Sequence, residues 1–153
     1  MGENLLLGCG TMAICLAIQS VTVSVLLRAL FALEEKHVIR PGIIRAPVIL
    51  VTVMLLVFAG NLVQISLWSC LFLALGQFED FQTAFYFSTV NFTTLGYGDL
   101  VMTKERRLLG ALEAANGVLM FGLSTSVLYS VVRVMMDRAW RQLAQRAGIT
   151  GSA

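Results

Sequence analysis

The chain has 153 residues, of which 58% are hydrophobic and 13% charged, against roughly a quarter charged in an ordinary soluble domain. With a mean hydropathy of +0.82, a water-soluble fold would have nowhere to put its apolar surface, because a chain of this size buries only about 70% of what it exposes when unfolded. The remaining surface faces lipid, which argues against a soluble enzyme or a nucleic-acid binder. A formal net charge of +2 is too small to call for a polyanionic partner, so the placement of charge matters more than its sum.

In chain order, the first apolar stretch runs from Leu5 to Leu27, with Gln19 as its most polar member, and stops at Arg28. It is long enough for a ~30 Å hydrocarbon core, which takes about 20 residues at ~1.5 Å each. A cleaved signal would carry positive charge ahead of it, but only Glu3 precedes it. Met1-Gly2 also lacks the hydroxyl residue of a myristoylation site. The expectation is a retained N-terminal transmembrane helix in residues 1–33.

A loop over 34–47 follows, with Lys36, His37, Arg40 and Arg45. His37 is either a pH-sensing group or a solvated loop residue. Pro47 suits a first helical turn, and an outer helix is predicted over 48–76. Asn61 and Gln64, about one turn apart on it, are expected to make interhelical hydrogen bonds. The last span, from about Leu108 to Met136, belongs to a helix predicted over 105–136. Both later spans, near ~28 residues and so ~42 Å, must tilt or project beyond the lipid. The tail, 137–153, carries Trp140 among basic residues, as an interfacial anchor does. Cys9, Cys15 and Cys70 lie inside apolar runs without metal-ligand spacing and are expected to act as small apolar residues.

Between the second and third spans lies a piece that suits neither lipid nor water. A short helix is predicted over 80–92, with Asp80 as N-cap and Glu79 at its positive end. Twelve residues of helix reach only ~18 Å, about half of a bilayer, so the element is re-entrant. Thr93, Thr94, Leu95, Gly96, Tyr97, Gly98 and Asp99 follow. Non-helical backbone at membrane depth survives only when buried in protein or lining a wet cavity, so the Gly96 to Gly98 stretch should line a pore.

Basic residues set the orientation. If the re-entrant piece dips in from outside, eight (Arg28, Lys36, Arg40, Arg45, Arg133, Arg138, Arg141 and Arg146) lie inside, and three (Lys104, Arg106 and Arg107) lie outside. The expected topology is a multi-pass protein of the cell membrane, with its N-terminus outside and its C-terminus in the cytoplasm. Glu3, Glu79, Asp80, Asp99 and Glu105 then gather on the outer face, where they would concentrate cations.

The run from Thr94 to Asp99, TLGYGD, resembles the selectivity filter of tetrameric potassium channels, commonly TVGYG. Its frame matches too: a long helix, then a short one rich in aromatics (Phe85, Tyr86, Phe87), then a glycine-containing inner helix. The resemblance covers roughly residues 46–136. It implies an all-α membrane protein with three transmembrane helices, a re-entrant pore helix and a filter loop over 93–99, assembling as a homotetramer around K+. The ion-binding groups would be Thr94, Leu95, Gly96, Tyr97 and Gly98, with K+ held by the carbonyls of Thr94 to Tyr97 and supported by Thr93 and Asp99. Tyr97 would pack against pore-helix aromatics. Leu95 replaces the commoner valine, and Val90 stands where some members carry a buried acid.

The chemistry is independent of the resemblance. A dehydrated cation needs oxygens in place of its water shell, and alternating glycines let successive carbonyls turn the same way, since Gly96 and Gly98 adopt dihedrals closed to other residues. Two readings stand for Gly117 and Gly122: a gating bend, which the resemblance implies, or close packing, for which Gly110 with Ala114 also qualifies. Ser124, Thr125 and Ser126 either wet a cavity or bond back to their own helix. Glu113 is a functional candidate by its depth. It either supports the filter from behind or pairs at the interface with Arg106 or Arg107.

No span carries arginine at every third position, so no voltage sensor is expected, and the short tail leaves no room for a ligand-sensing domain. Neither an enzyme nor a cofactor is expected. The leading expectation is passive potassium conduction. The alternatives are a weakly selective cation channel and a non-conducting partner subunit or scaffold.

Overall fold

The computed structural model describes residues 1–35 and 45–146. Lys36, His37 and Arg40 lie outside the described residues. The fold is all-helical: α1 (Gly2–Glu35), α2 (Arg45–Ala74), α3 (Phe81–Phe92) and α4 (Arg107–Arg146). Three helices are long and apolar enough to cross a membrane, over Gly2–Arg28, Pro47–Ala74 and Arg107–Gln145. The 12 residues of α3 cannot, so the all-α architecture agrees with the sequence reading. At its far end α4 continues through Asp137 to Arg146, a stretch with neither Gly nor Pro to break it.

Helices this apolar are not oriented by hydrophobicity, because lipid is as apolar as a leucine side chain. Small and polar residues choose the inward face instead. On α1 the buried positions are Asn4, Gly8, Thr11, Cys15, Gln19 and Leu26, at steps of three, four or seven that keep one side of a helix. On α4 they include Gly110, Glu113, Asn116, Gly117, Met120, Ser124 and Val127. Cys9 and Cys70 are exposed, Cys15 is buried, and all three are free thiols.

Contacts between these faces fix the register. The Asn4 amide donates to the Glu105 carbonyl, Gly8 lies against Leu112 and Leu109, and Gln19 donates to Ser124 Oγ at 3.4 Å. The pairing advances in step, so α1 and α4 run parallel. Against α2 it reverses: Gln64 donates to Gln19 Oε1 at 2.9 Å, and Gly60 faces Thr22. Gln64 thus makes the expected interhelical bond, whereas Asn61 Oδ1 has no partner among the described residues. One packed cluster holds Cys15, Trp68, Phe72, Phe92, Leu109 and Met120 around α3. A second holds Leu26, Val53, Val57, Val127 and Val131, where α1, α2 and α4 meet away from it.

Arg106 closes the end of the bundle where α1 begins. It donates to Glu3 at 2.9 Å and to Asn4 Oδ1 at 2.5 Å. Glu3 is 69% exposed, so this ion pair pins register more than it stabilises. Replacing Gln64 by Met keeps the volume but removes the donor to Gln19. The expected loss is about 0.6–1.7 kcal/mol, read as a lowered Tm in detergent. The double variant Gln19→Met/Gln64→Met should recover most of it, because the Gln19 amide oxygen is then no longer left buried without its donor.

Candidate functional site

The chain enters the site through a capped turn. Gly76, with φ 64°, ends the α2 segment, and Gln77 Oε1 accepts from the Thr103 amide and hydroxyl at 3.2 and 3.0 Å. Asp80 is the N-cap of α3: its carboxylate accepts from the Thr83 amide at 2.8 Å and the Thr83 hydroxyl at 2.7 Å. These bonds hold the Asp80 carboxyl below its usual range. From this cap α3 descends with Ala84, Ser88 and Phe92 buried, one face at spacing four. Phe87 anchors it to α2 and the following turn, 5.6 Å from Phe72 and 4.9 Å from Phe78 between ring centroids.

At the bottom of α3 the chain reverses into the ribbon 93–99. The Thr94 amide donates to Asn91 O at 2.9 Å, while those of Leu95 and Gly96 both donate to Val90 O, at 3.0 and 3.3 Å. None of these peptide bonds is cis, and in a trans peptide the carbonyl points opposite to the N–H of the same unit. The carbonyls of Thr93, Thr94 and Leu95 are therefore directed away from α3. The backbone reaches this shape with φ of 59° at Thr94, 59° at Gly96 and 76° at Gly98. The positive values at the two glycines agree with the alternation read from the sequence. Thr94 is a β-branched residue in a region such residues avoid, and no sequence signal marks it.

The outer end of the ribbon has its own tether. Tyr86, on α3, donates its hydroxyl to Asp99 Oδ2 at 2.7 Å, a bond to a carboxylate that pushes the tyrosine's pKa up and keeps it a neutral donor. Between the two tethers a cavity of about 230 Å3 separates Gly96 and Gly98 from Asn91 on α3 and Arg107 on α4. All seven residues from Thr93 to Asp99 are exposed in the single chain. The Tyr97 ring is 67% exposed, so within one chain it is not packed against the α3 aromatics.

Behind the ribbon, Glu113 is fully buried on α4. It pairs with neither nearby arginine: Arg106 goes to Glu3 and Asn4, and Arg107 Nε donates to the Met102 carbonyl at 3.4 Å. Its Oε2 instead accepts from Asn91 Nδ2 at 2.9 Å, and the same amide donates to Gly110 O at 2.6 Å. Asn91 was not singled out by its sequence; a lone amide on the last turn of an aromatic helix was the available signal. One turn below Glu113, a Cβ on Gly117 would overlap the Phe92 carbonyl oxygen, whereas one on Gly122 would meet nothing within 4 Å. Ser124, Thr125 and Ser126 each bond back to their own helix, at 2.7, 2.8 and 3.0 Å.

This frame, a long helix, a half-length helix capped into a glycine-bearing ribbon, and a second long helix packed behind it, is a pore unit. The profile of the ion channel family matches residues 48–134, more than half of the chain, and the protein belongs to that family. It is thus a membrane protein of ion transport and not an enzyme. Neither the comparison with curated proteins nor that with solved structures gives a match. Helix α1 lies wholly outside the matched region.

Two outcomes are expected from this geometry. Gly117→Ala should destabilise the fold by about 1–3 kcal/mol, the usual range for forced overpacking, while Gly122→Ala leaves the melting temperature near wild type. Asp80→Ala should lower the Tm at neutral pH. Because the folded-state value of Asp80 is depressed, its contribution is complete above the ordinary aspartate value of about 3.9 and fades as pH falls through the lowered one. The gap between variant and wild type should therefore close in acid.

Proposed function

We propose that the protein is a potassium-selective channel whose ions pass along the carbonyls of Thr94, Leu95, Gly96 and Tyr97. The observation that carries this reading is the tethering of three successive filter amides to the end of α3. The carbonyls of the same peptide units, those of Thr93, Thr94 and Leu95, face the exposed side, where oxygens of the ribbon can replace the water shell of a cation. The strained φ at Thr94 has a role in this reading, since it lets the Leu95 amide reach Val90 O. The negative end of the α3 dipole adds about 0.3–1 kcal/mol per helix in favour of a cation below the filter.

One chain supplies one ribbon, and an exposed ribbon at membrane depth needs protein or water on its open side. Four copies around a rotation axis meet that need, with the ribbons facing one another and each Tyr97 ring covered by a neighbour. On this reading Thr93, Asp99 and Glu113 hold the filter in place, and Gly122 is the bend of α4. Gly117 is required for its contact with Phe92. The excess of Lys and Arg at the other end supports an N-terminus and filter mouth outside the cell and a C-terminus in the cytoplasm.

Rubidium or thallium flux into liposomes carrying the purified protein tests this. Flux blocked by barium is expected, with a reversal potential that follows potassium in mixed potassium and sodium. A reversal potential indifferent to the two ions would replace it with a weakly selective cation channel. Absence of flux from correctly folded protein would leave a scaffold.

A further inference from the structure

The last turn of α3 is gripped from two sides. Its main chain holds the filter, because Val90 O and Asn91 O receive the amides of Thr94, Leu95 and Gly96. Its side chains hold α4, because Asn91 Nδ2 donates both to Gly110 O at 2.6 Å and to Glu113 Oε2 at 2.9 Å. The α4 positions involved, Gly110, Glu113 and Gly117, fall at steps of three and four on one face. Two of them are glycines where a Cβ would press on this turn: on Asn91 Nδ2 at 3.2 Å in the case of Gly110, and on the Phe92 carbonyl in the case of Gly117. Glu113 is 0% exposed. Among the described residues its hydrogen-bond partner is the Asn91 amide.

We infer that Asn91 is a positioning residue for ion selection, transmitting the position of α4 to the filter backbone. The inference rests on the channel reading above. Residue 91 is where the two sets of bonds meet, since its amide is fixed by α4 and its own carbonyl receives Thr94, the first ribbon residue with positive φ. A shift of α4 along its axis must therefore either break the Asn91 bonds or carry Asn91 O and Val90 O with it. In the second case the carbonyls opposite the tethered amides turn, and in the first they lose the restraint that α4 imposes on them. Ion choice in a filter of this kind is made by its carbonyl oxygens, through the size of the cage they form or through their number and field strength, and turning them alters both, so the contact sets selectivity as well as stability. Glu113 acts through the same contact as the acceptor that fixes the amide's orientation.

The test compares potassium-to-sodium permeability ratios in liposomes for wild type, Asn91→Ala, Glu113→Ala, Glu113→Gln and Gln64→Met, each with its Tm. Loss of one such contact is expected to lower the ratio about tenfold in Asn91→Ala and Glu113→Ala. Glu113→Gln, which keeps an acceptor oxygen for Asn91, should stay near wild type. Gln64→Met breaks a bond between α1 and α2 remote from the filter, so it should lower the Tm without moving the ratio. A wild-type ratio in both alanine variants, with only their Tm reduced, would overturn the inference and leave the channel intact. Should Asn91→Ala fail to fold, the Glu113→Ala and Glu113→Gln pair reads the same contact from the α4 side. Wild-type protein that carries no current removes the channel reading, and this inference with it.

Discussion

A backbone that leaves the helix inside a membrane has to place its N–H groups somewhere, because no water is there to receive them. In this protein the end of α3 meets that demand. The last carbonyls of a helix lack partners of their own, and here Val90 and Asn91 offer theirs to the amides of Thr94, Leu95 and Gly96. One set of unsatisfied groups answers the other. The same bonds turn the carbonyls of Thr93, Thr94 and Leu95 away from α3, so the feature that makes the turn tolerable also leaves a row of exposed oxygens, the groups the proposed channel would use.

Much of this was legible beforehand. The half-length helix follows from the twelve residues between Asp80 and Thr93, five of them Phe or Tyr, and the glycine alternation follows from Gly96 and Gly98. What escaped is instructive. Thr94 adopts a conformation that its residue type disfavours, because three hydrogen bonds around the turn over-determine it. Such tertiary compensation leaves no local trace. Asn91 looks like any amide on a short helix, and its importance comes from meeting Gly110 and Glu113 nineteen and twenty-two positions further on. Glu113 itself stood out by depth, but its partner did not, since the two arginines were nearer in sequence.

The role of α1 was also hidden, for a different reason. An amphipathic helix announces its buried face by hydrophobicity, and α1 is apolar all round. Its inward face is instead marked by Asn4, Gly8, Thr11, Cys15 and Gln19, residues that a soluble protein would turn to water. In lipid the logic inverts, and polar and small residues seek the bundle interior, where they find partners and close approach. Read with that rule, the spacing of these five residues predicts one face of one helix, which is the face that meets α2 and α4.

The consequence for the pore unit is mechanical. The family match begins after α1, yet α1 touches Glu105 and Arg106 in the turn that leads into α4, Leu109 and Leu112 on α4 beside Gly8, and Ser124 further along α4. Between these contacts lie Glu113 and Gly117, the positions of α4 that face the last turn of α3. A helix held above and below this stretch by a parallel neighbour has less freedom to slide or rotate there than one facing lipid alone. Bending is easier beyond the last of these polar contacts or at a position without a tight neighbour, and Gly122 has open space around it. The added helix thus divides α4 into an upper part that is braced against the filter and a lower part that is held by apolar packing at Val127 and Val131. Movement in the lower part can then reach the ribbon through the short segment between Gly122 and Gly117, or through α2, which packs on both the lower part of α4 and on α3.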